Sequence, residues 1–161
     1  MPRIEVSVDF DDDSYKDKLD GMQRRGRDFT PVMEDIRDEM RLAWTANFTA
    51  NGLAVGGWAP LDAEYGAWKA VHFPGAPPLV QTGHLFQAIA SLRGNMVEIN
   101  RDGARFNLPD VRYAKFHQYG TSKMPKREII FEPRGQQKRW TRMMQQHVLG
   151  ERDIRDREIT R

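Results

Sequence analysis

The chain contains no cysteine. That excludes a disulfide framework, thiol catalysis, iron–sulfur clusters and every zinc site built on thiolates. It also lacks any run of about 18 apolar residues, the minimum for a membrane-spanning helix, so no membrane partner is expected. The opening stretch MPRIEVSVDFDDD has no apolar core and turns acidic, which is unlike a secretory leader. Nor is one sign of charge in large excess: 25 Lys and Arg face 23 Asp and Glu, a formal balance of +2. A pI near 9.0 on so small a net charge does not by itself imply nucleic-acid binding. A protein of the reducing cytosol, or of an assembly built there, is expected.

Signatures of catalysis are missing as well. His72, His84, His117 and His147 stand far apart, with no HExxH and no His-x-His pair to seed a metal site. No phosphate-binding GxxxxGK[ST] or GxGxxG is present. Ser7, Ser14, Ser91 and Ser122 lack the context of a nucleophile elbow. The Asp11-Asp12-Asp13 run has the oxygen ligands for a hard cation, but such runs are usually solvated. No enzyme activity, metal or cofactor is expected.

What is present suits one α+β domain over residues 1–150, with a charged tail at 151–161. Of the 161 residues, 39% are hydrophobic, enough for a core. Arg3–Phe10 alternates apolar and polar residues, which predicts a half-buried strand. A helix from about Ser14 is weakened by Gly21 and Gly26. The strongest helical signal follows over 31–50. Thr30 is the expected N-cap and Pro31 the first turn; Val32, Met33, Ile36, Met40, Ala43, Trp44, Asn47 and Phe48 then form a stripe for the core. Asn51-Gly52 stops it.

Residues 51–80 are rich in glycine and proline and carry Trp58, Tyr65, Trp68 and Phe73. The segment is expected as one long aromatic loop, either an interface anchor or folded back over its own core. A helix over 83–92 should bury Leu85, Phe86, Ile89 and Leu92 and stop at Gly94. Met96–Ile99 and a second strand through Phe106 and Leu108 predict a hairpin turning near Asp102-Gly103. A helical turn ending at Gly120, a strand over 127–133 and a helix over 135–149 complete the order. The expected architecture is a mainly antiparallel sheet with a long helix and shorter helices packed on it.

Charge is unevenly placed. Residues 1–13 hold five acids against Arg3, a balance of −4, whereas residues 101–142 hold eleven basic and four acidic residues, a balance of +7. Opposite charge on distant parts of one chain suits head-to-tail self-association; two solvated faces of a monomer are the alternative. Lys115, Lys123, Lys126 and Arg127 stand among aromatics, a mixture that can track a phosphate backbone.

Four local patterns then occur in order. They are Trp58-Ala59-Pro60-Leu61 with Tyr65 and Lys69; Pro78-Leu79-Val80-Gln81-Thr82-Gly83-His84-Leu85; Tyr113-Ala114-Lys115-Phe116-His117-Gln118-Tyr119-Gly120; and Met124-Pro125-Lys126-Arg127. Together, over about residues 56–133, they resemble the virion-morphogenesis and tail-completion proteins of tailed bacteriophages, the family of the phage Mu G protein. The last pattern departs from the family's usual P-A-R-x-F. The resemblance implies a tail-terminator-like fold and a structural role at the neck, where head meets tail. It implies a homo-oligomeric ring, commonly of six subunits, contacting tail-tube and connector proteins and passing double-stranded DNA without sequence specificity. The place would be the virion, after assembly in the host cytoplasm. A head-side adaptor or stopper, and a nucleic-acid-binding assembly factor outside the virion, are the alternatives. Within the patterns, Thr82 is expected to cap the helix after it, Gly83 to permit a close backbone approach, and His117 and Gln118 to satisfy backbone groups.

Overall fold

The structure, a computed structural model, describes residues 12–151. The strand expected at Arg3–Phe10 and the tail after Glu151 lie outside the described residues.

The apolar stripe predicted for the second helix organises the fold. Helix α1 spans Asp12–Gly26 and helix α2 spans Thr30–Thr49. Helix α2 buries Val32, Met33, Ile36, Met40, Trp44, Asn47 and Phe48, the stripe in which every third or fourth residue is apolar. Pro31 sits in the first turn, as expected, but Thr30 is not the cap. The Thr30 N–H is instead accepted by Asp28 Oδ1 at 3.0 Å. Hydrogen bonding from Thr30 to this carboxylate lowers the Asp28 pKa from its ordinary value. At the other end Asn51 and Gly52 take positive φ, 52° and 81°, and the helix stops where the sequence says it should.

Helix α3 spans Ala63–His72, α4 His84–Ala90, α5 Ala114–Tyr119 and α6 Gln137–Leu149; strands β1, Val97–Asn100, and β2, Gly103–Phe106, lie between α4 and α5. The hairpin is antiparallel, with Val97 opposite Phe106 and Ile99 opposite Ala104. Asn100 Oδ1 accepts from the Asp102 and Gly103 N–H groups at 3.0 and 2.9 Å, which shapes the turn at the predicted place. A two-stranded hairpin has little stability alone; this one packs on α2, as do α4 and α6. Leu85 and Ile89 of α4, Met96, Ala114, Ile129 and Phe131 close the core around Trp44, which is fully buried. Helix α6 is pinned to α2 by Glu39, which pairs with Arg139 at 2.7 Å and accepts from Trp140 Nε1 at 3.0 Å. Helix α1 packs on α6, where Arg25 Nε donates to the Val148 carbonyl at 2.9 Å.

The class is therefore α+β, with six α-helices and one small sheet among the described residues. The expected mainly antiparallel sheet is not found among them, and the structure departs from the expected order at two places. The first is that residues 127–133 form no strand. Several of their backbone groups are taken by side chains rather than by a neighbouring strand. Gln118 Oε1 accepts from the Ile129 and Ile130 N–H groups, Trp44 Nε1 donates to the Phe131 carbonyl, and Trp58 Nε1 donates to the Glu128 carbonyl. The second is that 51–80 is not one loop. It contains a single 3-10 turn, Leu53–Val55, and the ten-residue helix α3. Asp62 caps α3, its Oδ1 accepting from Glu64 and Tyr65 N–H at 3.1 and 3.2 Å. No helix of the described residues is long and apolar enough to cross a membrane.

Candidate functional site

A cavity of about 570 Å³ lies between α3, the approach to α4, the start of α5 and the segment that ends at Arg127. Leu61, Asp62, Tyr65 and Lys69 form one wall. The approach to α4 supplies Leu79, Gln81, Thr82, Gly83 and His84, with Leu85 beneath. Tyr113 and His117 face them, and Lys123, Met124, Pro125 and Arg127 complete the lining.

Two cations are built into this wall. Lys69 is 4% exposed, and its Nζ donates to the Pro77 carbonyl. Arg127 is also 4% exposed; Nε donates to the Ala59 carbonyl at 3.0 Å and Nη2 to the Pro60 carbonyl at 2.8 Å. Among the described residues neither side chain makes an ion pair. Burial lowers the pKa of both from the ordinary range, and the positive charge of Arg127 lowers that of Lys69 further. His117 is pushed down in the same way, by burial first and by Arg127 second, and its Nδ1 is buried without a hydrogen-bond partner. Asp62 is the one carboxylate in the lining, and its Oδ1 is committed to the α3 cap. The cavity thus presents partly desolvated positive charge against leucine and methionine walls. Its chemistry is complementary to an anion that also carries apolar groups.

Ten residues singled out from the sequence line this one cavity: Leu61, Tyr65, Lys69, Thr82, Gly83, Leu85, Tyr113, His117, Pro125 and Arg127. The other five lie outside its lining. Trp58 packs edge-on to Phe48 and crosses Gly52, where a Cβ would come within 2.3 Å of its ring. Pro60 receives Arg127, and Ala114 is buried in the core. Gln118 braces Ile129 and Ile130, as the expectation of backbone satisfaction required. Gly120 has φ 75° and lies against the Lys126 backbone, so only glycine fits there without strain.

Three local expectations are corrected. The His117 side chain satisfies no backbone group among the described residues, since its Nδ1 is buried without a partner. Thr82 does not cap α4; Gly83 occupies that position in the left-handed region, with no side-chain cap bond. Gly83 also makes no close backbone approach, since the nearest atom to an added Cβ is Gln87 Nε2 at 3.8 Å. Its φ of 79° is what the glycine supplies. Of the basic cluster, Lys123 is exposed at the cavity and Lys126 pairs with Glu128 at 3.0 Å, whereas Arg127 belongs to the interior. Asp62 stands outside the four ordered patterns, yet it lines the cavity. A signal for Asp62 existed: Asp followed by Ala-Glu-Tyr is a helix start, and Tyr65 and Lys69 share a face four residues apart.

A second feature adjoins the cavity. Tyr65 and Trp68 stack at 5.7 Å between ring centroids, and Trp68 stacks on His72 at 4.6 Å. Tyr65, Trp68 and Val71 of α3 remain exposed, as do Tyr113, at the start of α5, and Phe116 within it. No group of three or more His, Asp or Glu that could hold a metal occurs among the described residues. The chain matches no protein-family model, no curated protein and no solved structure.

Proposed function

We propose that the chain is a structural neck protein of a tailed bacteriophage, a tail-terminator or tail-completion component that works as a homo-oligomeric ring at the head–tail junction. The observation that carries this reading is the convergence of the ordered patterns: residues scattered from Leu61 to Arg127 surround one cavity. Patterns that recur in order in a family are expected to share a spatial role, and here they do share a place. The reading also draws support from the half-exposed aromatic face of α3, which has the composition of an interface anchor. In this role the chain contacts its own copies, the tail tube and the connector, and DNA passes without base readout. It performs no catalysis and carries no cofactor.

The test is mass spectrometry of purified phage particles from a host that carries this chain. A neck protein is found in the particle at the stoichiometry of a single ring. Absence from particles, with the protein free in the lysate, overturns the assignment.

A further inference from the structure

The cavity has two features that the neck reading leaves unused: an excess of cations over the single lining carboxylate, Asp62, among the described residues, and a mouth bordered by exposed aromatics. Lys69 and Arg127 are almost fully buried, yet each is matched only by carbonyl oxygens. Carbonyl dipoles offset part of the desolvation cost of a cation, and a carboxylate offsets far more. Lys123 adds a third, exposed positive group at the same cavity.

We propose that this cavity is the socket for the acidic run at residues 9–13 of a second copy of the chain. The proposal rests on the ring reading only in expecting the contact to repeat from copy to copy. Three observations favour this occupant. First, residues 1–13 carry five acids against one arginine, the charge the socket lacks. Second, that segment sets Val6, Val8 and Phe10 among its acids, so it brings apolar side chains for walls that contain Leu61, Leu79 and Met124. A free inorganic anion brings none, and a nucleic-acid duplex is too wide to enter a cleft of about 570 Å³. Third, α1 begins at Asp12 and packs on α6, and neither helix contributes a residue to the cavity. Asp12 and Asp13, at the start of α1, therefore do not line the socket of their own copy. A contact between two different patches is heterologous, the type that closes rings when its rotation permits.

The experiment uses the full chain carrying Asp9→Asn, Asp11→Asn, Asp12→Asn and Asp13→Asn, so that its own run does not compete. A fluorescent peptide of residues 1–13 is titrated against it by anisotropy. Saturable binding is expected, weakening with salt. Lys69→Met and Lys123→Ala should each weaken it by about ten-fold or more, the loss of one charged contact. Lys123 is exposed, so its variant folds even where Lys69→Met does not, and far-UV circular dichroism checks both. The proposal is overturned if the peptide does not bind, if an all-Asn peptide binds as well, or if the Lys123 variant binds unchanged. Displacement of the peptide by millimolar phosphate would make this a free-anion site, and displacement by duplex DNA would make it a nucleic-acid surface; either overturns it. Because the readout is on purified protein, its failure leaves the particle stoichiometry test standing, and the reverse also holds.

Discussion

The carboxamide of Gln118 holds Ile130 from both ends of its backbone. Oε1 accepts the Ile130 N–H at 3.0 Å, and Nε2 donates to the Ile130 carbonyl at 2.8 Å. The same Oε1 accepts the Ile129 N–H at 2.9 Å. One side chain thereby does for this segment what a neighbouring strand does in a sheet, and it couples α5 to the chain that runs from the cavity into the core.

Gln118→Ala should therefore destabilise the fold by about 2–4 kcal/mol, because it leaves buried N–H groups and a carbonyl without partners. Gln118→Glu keeps the acceptor and loses the donor, so it should cost less at a pH where the carboxylate accepts both N–H groups. Urea denaturation of the two variants checks the order. Equal, small losses for both would mean that solvent or a shifted backbone satisfies Ile129 and Ile130 without the side chain.

The same relationship explains what the sequence conceals. Over residues 127–131 burial does alternate, with Arg127, Ile129 and Phe131 buried and Glu128 and Ile130 less so. The period of two was legible, but it reports which way side chains point and not what pairs with the backbone. The partners here are Gln118, Trp44 and Trp58, up to 87 residues away in sequence, and no local pattern encodes them. Long regular signals read correctly: the α2 stripe, the hairpin turn at Asn100–Gly103 and the helices at α5 and α6. Helix α3 was obscured because its capping Asp62 and its Tyr65–Lys69 face lie between glycines and prolines that punctuate loops elsewhere. Ten of the residues singled out in the ordered patterns line the cavity, but that they meet there, and that Lys69 and Arg127 are buried, follows only from how α3 and the 121–127 turn are folded over the core.

Gly120 sits at φ 75° and ψ 178°, a region open almost only to glycine. A Cβ there would stand 2.9 Å from the Lys126 nitrogen and 3.1 Å from the Met124 carbonyl oxygen, both backbone atoms that cannot swing aside. Gly120→Ala should cost about 2–4 kcal/mol from strain and overlap together. Gly56→Ala is the control. Its φ is 92°, but nothing lies within 4 Å of the added carbon, so only the strain of about 1–2 kcal/mol remains. Thermal melts of the two variants should differ accordingly, and equal melting temperatures would refute the close approach.

His117 sets a pH dependence whose sign is fixed. Burial, reinforced by Arg127, holds its pKa below the ordinary 6.5, so the unfolded chain takes up this proton at a higher pH than the folded chain does. Stability rises with pH wherever the unfolded state binds more protons. The contribution of a neutral His117 is thus complete above 6.5 and is lost as pH falls from there toward the lowered value. His117→Leu removes the titrating group, so the stability difference between wild type and variant should shift in favour of wild type between pH 5 and pH 7, measured by urea denaturation at each pH. A difference that stays flat over that interval, or tilts the other way, would show that His117 is not held neutral by its surroundings.

The last prediction separates interface from core among the tryptophans. Trp44 is fully buried and its Nε1 donates to the Phe131 carbonyl, so it belongs to the fold. Trp68 is 42% exposed, stacked between Tyr65 and His72 on a helix whose only buried residue is Lys69. Removing Trp68 exposes little that was hidden and orphans no buried polar atom. Trp68→Ala should accordingly change stability by less than about 1 kcal/mol, whereas Trp44→Ala should cost about 3–5 kcal/mol. Interface anchors of this type carry a large share of binding energy, so Trp68→Ala should weaken self-association by about ten-fold or more. Sedimentation over a concentration series reads that loss, and hydrogen exchange along 63–72 in free and assembled protein locates it. Normal assembly by a stably folded Trp68→Ala chain would mean that the α3 face looks outward in the assembled state, and that the cavity mouth alone carries the contact between copies.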